Sequence, residues 1–192
     1  MPKQRITKDM VIEAAFELER EEGVDQVLVK NIAQKLGCSV QPIYSYCSNM
    51  EELRKELRSR IGVFFQEYIS KNIDKDDFFH SIGKSYLLLS KVEPHLYEAY
   101  FIRKRADYTA TTLDELYENE CTQEVAEWLS DKYSISKEAA KKLHLNMVMY
   151  TTGLSMLMIS SNFGVPIEEL DKSLIEANEA FLAQARIQSE EK

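Results

Sequence analysis

Glycine and proline are scarce in this chain, at 6 and 4 of 192 residues. Both interrupt regular backbone, so their scarcity points to long uninterrupted helices. No apolar run approaches the roughly 20 residues needed to span a bilayer. The opening residues, MPKQRITKDM, lack the apolar stretch of a secretory signal. A cytoplasmic protein with no membrane partner is the expectation. Cysteine is equally sparse: Cys38, Cys47 and Cys121 are odd in number and have no Cys-x-x-Cys spacing, which argues against a disulfide framework or a zinc site. With three histidines, a metal centre is poorly supplied. Asp77 and His80 form a single i, i+3 pair, where a di-metal bundle needs a set of them. No nucleophile–base set or phosphate loop is visible either. The expectation is a protein without cofactor, without metal and without enzymatic activity.

Positive charge is also short, with a formal net charge of −8. That balance looks wrong for a partner of nucleic acid until the chain is divided. Residues 1–60 hold 10 Lys+Arg and 10 Asp+Glu, so the whole deficit lies in residues 61–192. Lys3, Arg5 and Lys8 concentrate positive charge ahead of the first helix. An acidic remainder would simply be kept away from phosphates.

What the chain has is helical periodicity. Thr7 reads as an N-cap, with Asp9 in the first turn, and Val11, Ile12, Ala15, Phe16 and Leu18 follow until Gly23 ends the run. Val29 to Leu36 predicts a short second helix with Ile32, Ala33 and Leu36 inward, stopped by Gly37. Ser39 is the expected cap of a third helix, placing Pro42 at its third position. Ser48 and Glu51 read as a capping box for a fourth, with Leu53, Leu57, Ile61, Phe64, Phe65 and Tyr68 on one stripe. Beyond it, Phe78, Ile82, Tyr86 and Leu89 mark one helix ended by Glu93-Pro94, and Leu96 to Arg105 a short one. Residues 112–133 predict another, 136–162 a long one capped by Ser136, and 166–188 a last one opened by Pro166 with Leu170, Leu174 (or Ile175), Ala177 and Phe181–Leu182 inward. No strand pattern is present. The class is all-α.

Residues 145–159 are apolar nearly all round, so that helix must be covered on most sides. It could run through the centre of the bundle, or a second copy could cover it. Thr151, Thr152, Gly153 and Ser155 would allow a close approach in either case, and the Met cluster at 147–158 suits core or an adaptable apolar pocket.

Residues 30–36, a turn at Gly37-Cys38-Ser39, and residues 40–46 have the proportions of a helix-turn-helix. Helices so short do not hold alone in water, whereas two turns suffice to place side chains in a major groove. Ile43 and Cys47, four apart, would face the core. Val40, Gln41, Pro42, Ser45 and Tyr46 would then point outward, where Lys and Glu are the usual residues. Tyr44 and Tyr46 also have a plainer reading, as cover for a small core.

Taken in order, "ELEREEG", "VKNIAQKLGCS", the Ile-Tyr of "QPIYSY" and "NMEEL" resemble the DNA-binding domain of the TetR/AcrR family of bacterial transcriptional repressors. The likeness covers residues 7–57; residues 61–192 are similar to the family only in length and helicity. The resemblance implies an N-terminal three-helix helix-turn-helix domain (1–50) followed by a helical effector-binding and dimerisation bundle (51–192). It implies Tyr44 against a backbone phosphate and Lys30 at a base or phosphate. Gln41, Pro42, Ser45 and Tyr46 would face the groove. Val29 and the helix start at Asn49 and Met50 would offer N–H groups to phosphate. Three positions depart from the family pattern: Val40, Cys47 and Met50, the last where a phosphate-binding lysine is usual. The last two long helices would pair two copies, with Met149, Thr152, Gly153, Met156, Leu174 and Phe181 as the expected contact residues. The implied partners are a double-stranded palindromic operator, a second copy of the chain and a small-molecule effector. The alternative is a helical interaction module whose helix-turn-helix no longer binds DNA.

Overall fold

The structure, a computed structural model, describes residues 6–104, 108–161 and 164–190. Its regular elements there are all helical, and the chain packs as two compact units. Unit 1 comprises residues 1–71 and 92–103, and unit 2 residues 72–91 and 104–192. None of the three junctions falls at residue 50, because the fourth helix belongs to the first unit well beyond its start.

In unit 1, α1 (Lys8–Glu22) starts at Thr7, whose hydroxyl accepts the Met10 N–H at 3.2 Å, and stops at Gly23. Gly23 has φ +81°, and a Cβ there would lie 3.1 Å from His95 Nδ1, so both backbone and space call for glycine. α2 (Val29–Lys35) buries Ile32 and Ala33 and turns at Gly37, φ +63°. α3 has only four α-helical residues, Gln41–Tyr44, prolonged by tighter turns to Cys47. Its N-cap is Val40 rather than the expected Ser39, so Pro42 takes the second helical position, where no N–H is needed.

The fourth helix, α4 (Met50–Asn72), also starts one residue off the expected register. Asn49 Oδ1 accepts the Glu52 N–H at 2.9 Å, and the Glu52 carboxylate accepts from Ser48 N and Oγ at 2.7 and 2.8 Å. Asn49 therefore caps the helix and the Glu52 carboxylate reaches back to Ser48, in place of the expected Ser48–Glu51 box. Asn and Ser cap equally well, so spacing alone left the choice open. Leu53, Leu57, Ile61, Phe65 and Ile69 form the buried stripe. Phe64 and Tyr68 sit at its margin.

After residue 91 the chain re-enters unit 1. Pro94 opens the short α6 (Pro94–Tyr97), with α5 (Phe78–Val92) preceding it, and a wider five-residue turn, Glu98–Ile102, closes with Arg103 N–H donating to the Glu98 carbonyl at 3.1 Å. Helix therefore ends at Ile102; Arg105, where it was expected to end, lies outside the described residues. Leu96 and Tyr97 are buried, and the Phe65, Tyr97, Tyr100 and Phe101 rings cluster. Arg20 binds Glu93 through two nitrogens, and Arg58 donates to the Tyr100 carbonyl while lying 4.1 Å over its ring.

Unit 2 holds most of α5, then α7 (Leu113–Glu120), α8 (Gln123–Tyr133), α9 (Lys137–Ser160) and α10 (Ile167–Glu190). The single helix expected over 112–133 is two. Cys121 is extended, and Thr122 precedes a new helix. Helical periodicity carries across such a break because Tyr117, Ala126 and Leu129 all still reach one core. On α5 the buried face is Phe79, Leu87 and Leu89 with Ser81, Ser85 and Ser90, rotated from the expected Phe78, Ile82 and Tyr86. The serines are buried because their hydroxyls bond back to their own helix, as Ser85 Oγ does to the Ser81 carbonyl at 2.7 Å. Ser136 caps α9 through the Ala139 N–H, as expected. His80 contacts Asp77 at 2.6 Å and Asp171 at 2.9 Å, and Lys84 also holds Asp171. Among the described residues no group of three or more such side chains is placed to hold a metal ion, and no helix is long and apolar enough to cross a membrane.

Candidate nucleic-acid interface

Ile43 and Cys47 are 1 % and 3 % exposed and anchor α3 to the core of unit 1. Burial pushes the Cys47 thiol up, as suits a packing residue. With that side fixed, Val40, Gln41, Tyr44 and Ser45 are exposed and Pro42 is half-buried. Tyr44 is 52 % exposed, and its hydroxyl has no partner among the described residues. Ser45 Oγ is spent on its own helix, donating to the Gln41 carbonyl at 3.2 Å.

Tyr46 does not point outward as expected. Its ring is half-buried, and its hydroxyl donates to the Ile6 carbonyl at 2.8 Å, 40 residues back along the chain. A tyrosine can cover apolar surface and satisfy a backbone carbonyl together, and the tertiary return of the N-terminus offers it one. The outward face of α3 is thus Val40, Gln41 and Tyr44, with Pro42 and Ser45 at its edges.

The cations nearby divide sharply. Lys8 pairs with Glu56 at 2.8 Å, Lys35 with Glu17 at 3.0 Å and Glu21 at 3.4 Å, and Arg60 with Glu13 at 2.8 Å. Lys30 is exposed at the second position of α2 and has no ion-pair partner among the described residues. Lys55, one turn into α4, is likewise exposed and unpaired there, a cation that motif comparison did not single out. Val29, half-buried, opens a helix of seven residues, too short to build an anion site of its own. At α4, the Ser48 N–H and hydroxyl hold the Glu52 carboxyl below its usual range. That negative charge stands beside Asn49 and Met50, where an incoming phosphate would have to displace or avoid it.

The shape of the chain can be set beside known proteins at this point. No family model matches it, and no curated relative does. Solved structures do match. A transcriptional regulator from Rhodococcus sp. Rha1 superposes with a TM-score of 0.59 at 17 % identity, covering 94 % of this chain and 98 % of that one. A TetR-family transcriptional regulator from Haemophilus influenzae gives 0.55 at 16 % identity, with 90 % and 94 % covered. The fold is TetR-type. Coverage of nine-tenths or more of both chains includes the bundle, where the sequence resemblance had run out. Within a TetR-type fold, α2 and α3 are the helix-turn-helix and α9 and α10 the last two long helices.

Of the residues expected at a copy-to-copy contact, Met149 and Met156 are 45 % and 50 % exposed, and Gly153 between them is open. They fall at i, i+4 and i+7 on α9, a single face, which Leu157 widens. Thr152 and Phe181 are half-buried, the Phe181 ring lying 6.5 Å from Tyr150. Leu174 is different. It is 1 % exposed, packed in this chain's own core, and so does not contribute to an outer face.

Proposed function

We propose that the chain is a sequence-specific DNA-binding transcriptional repressor and not an enzyme. It acts in the cytoplasm as a homodimer and leaves a palindromic operator when a small-molecule effector binds. The observation that carries this reading is the outward face of α3. Val40, Gln41 and Tyr44 are exposed on a helix too short to persist alone, and Ile43 and Cys47 hold it in place. In the TetR-type arrangement that face enters the major groove, with residues 1–50 as the reading head and the remainder as effector-binding and dimerisation bundle.

The α9 face of Met149, Gly153 and Met156 supplies the contact to a second copy, and Phe181 and Thr152 flank it. Two heads on a palindrome must sit about one helical turn apart, roughly 34–36 Å. A modest change in their separation therefore costs much affinity. The effector must supply that change by binding the released state more tightly.

Gln41 can pair bidentately with adenine N6 and N7, and Val40 and Pro42 offer apolar surface to thymine methyls. No arginine stands on α3, so half-sites dominated by A·T pairs are expected, with Lys30 the nearby cation able to reach a guanine. Selection of binding sites from random DNA tests this directly. Gln41→Ala should cost about 1–3 kcal/mol at the selected site and relax preference at one base pair. A G·C-rich half-site, or unchanged preference in the variant, overturns the assignment.

A second reading has an observation of its own. Lys8 and Lys35 are held by carboxylates of the same unit, and Glu52 sits at the start of α4, which favours a helix-turn-helix that serves as a protein contact. Absence of any enriched DNA in the same selection would favour it.

A further inference from the structure

Glu19 lies on the inward side of α1 with 2 % of its surface exposed, and its Oε2 is buried without a hydrogen-bond partner among the described residues. A carboxylate there is costly in its charged form. Burial pushes its carboxyl up from 4.5 to about 7. The charged groups that face it come from each element packed against α1 at that level. Asp25 follows α1 in a short turn and, with Glu98, opposes ionisation; Arg103 and Arg54 favour it. Glu93 is engaged by Arg20, His95 lies against Gly23, and Lys35 of α2 is held by Glu17 and Glu21 on a different face.

Glu98 and Arg103 bracket the wider turn that follows α6, and α6 itself packs on α1. Residues 92–103 enter unit 1 from unit 2 and return to it. Glu19 thus packs in unit 1 beside a segment of the same unit whose two ends lead to unit 2.

We propose that Glu19 is a proton-operated latch between α1 and the 94–103 segment, closed while its carboxyl is protonated and loosened when it ionises. The closed state holds the proton more tightly than an opened state in which the side chain meets water, so acidity favours closure. With the carboxyl at about 7 when closed and near 4.5 when open, the ratio of open to closed rises about tenfold between pH 6 and pH 8. The consequence for DNA rests on the function proposed above: a loosened segment leaves the head less firmly held, and operator affinity falls as pH rises through neutrality.

The test uses the full chain, with glutamate side chains labelled with carbon-13. One carboxyl carbon should titrate near pH 7 and vanish from the spectrum of Glu19→Gln, with Glu19→Asp as a second assignment should the first variant fold poorly. Amide hydrogen exchange over 94–103, corrected for its intrinsic pH dependence, should rise about tenfold from pH 6 to pH 8 in the wild type and stay flat in Glu19→Gln. A Glu19 carboxyl titrating below about 5, or identical exchange in both proteins, overturns the latch. Binding to a duplex selected from random DNA should weaken over the same interval in the wild type alone. If neither protein binds any duplex at any pH, the DNA-binding reading fails while the titration still decides the latch.

Discussion

Tyr44 and Tyr46 stand two residues apart on α3, and removing the hydroxyl of each should have opposite effects. Tyr46 donates at 2.8 Å to the Ile6 carbonyl from a half-buried ring. A neutral hydrogen bond of this kind is worth about 0.5–1.5 kcal/mol net. Tyr46→Phe should therefore lower stability by about 1 kcal/mol, which for a chain of this length shifts a thermal midpoint by roughly 2–4 °C. Its base preference should be unchanged, because the hydroxyl faces the Ile6 carbonyl and not the groove. Tyr44 is 52 % exposed, and its hydroxyl has no partner among the described residues. Tyr44→Phe should leave the midpoint within the roughly ±0.5 kcal/mol scatter of surface changes. It should weaken DNA binding at every sequence alike, by about 1.5–3 kcal/mol if the hydroxyl meets a phosphate. Differential scanning calorimetry and fluorescence anisotropy on matched and scrambled duplexes measure both quantities. An altered base preference in Tyr46→Phe with an unchanged midpoint would refute the reasoning, since it would return Tyr46 to the groove.

Other expectations follow from the bundle. The protein should sediment at about twice its 22.3 kDa chain mass, and Gly153→Arg should leave it monomeric, because a Cβ there meets nothing within 4 Å among the described residues but a buried charge would fall between copies; a variant that remains dimeric would move the contact elsewhere. His144, buried in unit 2 with its Nδ1 3.5 Å from the Tyr117 hydroxyl, is pushed by burial from 6.5 down to about 4. Its folded form therefore resists protonation, so stability present above pH 6.5 should be lost progressively as pH falls towards 4, by at most about 3 kcal/mol at 1.36 kcal/mol per unit. His144→Leu should flatten that limb of a stability–pH curve measured by urea unfolding, and an unchanged limb would assign the acid sensitivity to other groups.

Much of this was legible in the residues themselves. The scarcity of Gly and Pro, the caps at Thr7 and Ser136, the stop at Gly23 and the inward pair Ile43 and Cys47 are local matters. Each depends on backbone preference or on spacing within one or two turns, which a linear chain states openly. The register of α4 slipped because Ser48 and Asn49 could do the same task. The break at Cys121 and Thr122 was hidden because a short loop can keep both flanking helices on one core.

What the tertiary structure decided concerns residues whose partners are far away in sequence. Tyr46 lost its outward role to a carbonyl 40 positions back, and Leu174, turned inward by helical spacing but set at a copy-to-copy contact by the resemblance, stays in the core. Glu19 is the sharpest case. Ile12, Ala15, Phe16 and Glu19 share the inward side of α1, so the pattern already placed a carboxylate among apolar residues. Its significance needed the return of residues 92–103, which brings Glu98 and Arg103 to it. Periodicity tells which side of a helix is turned inward; only the packed chain tells what waits there.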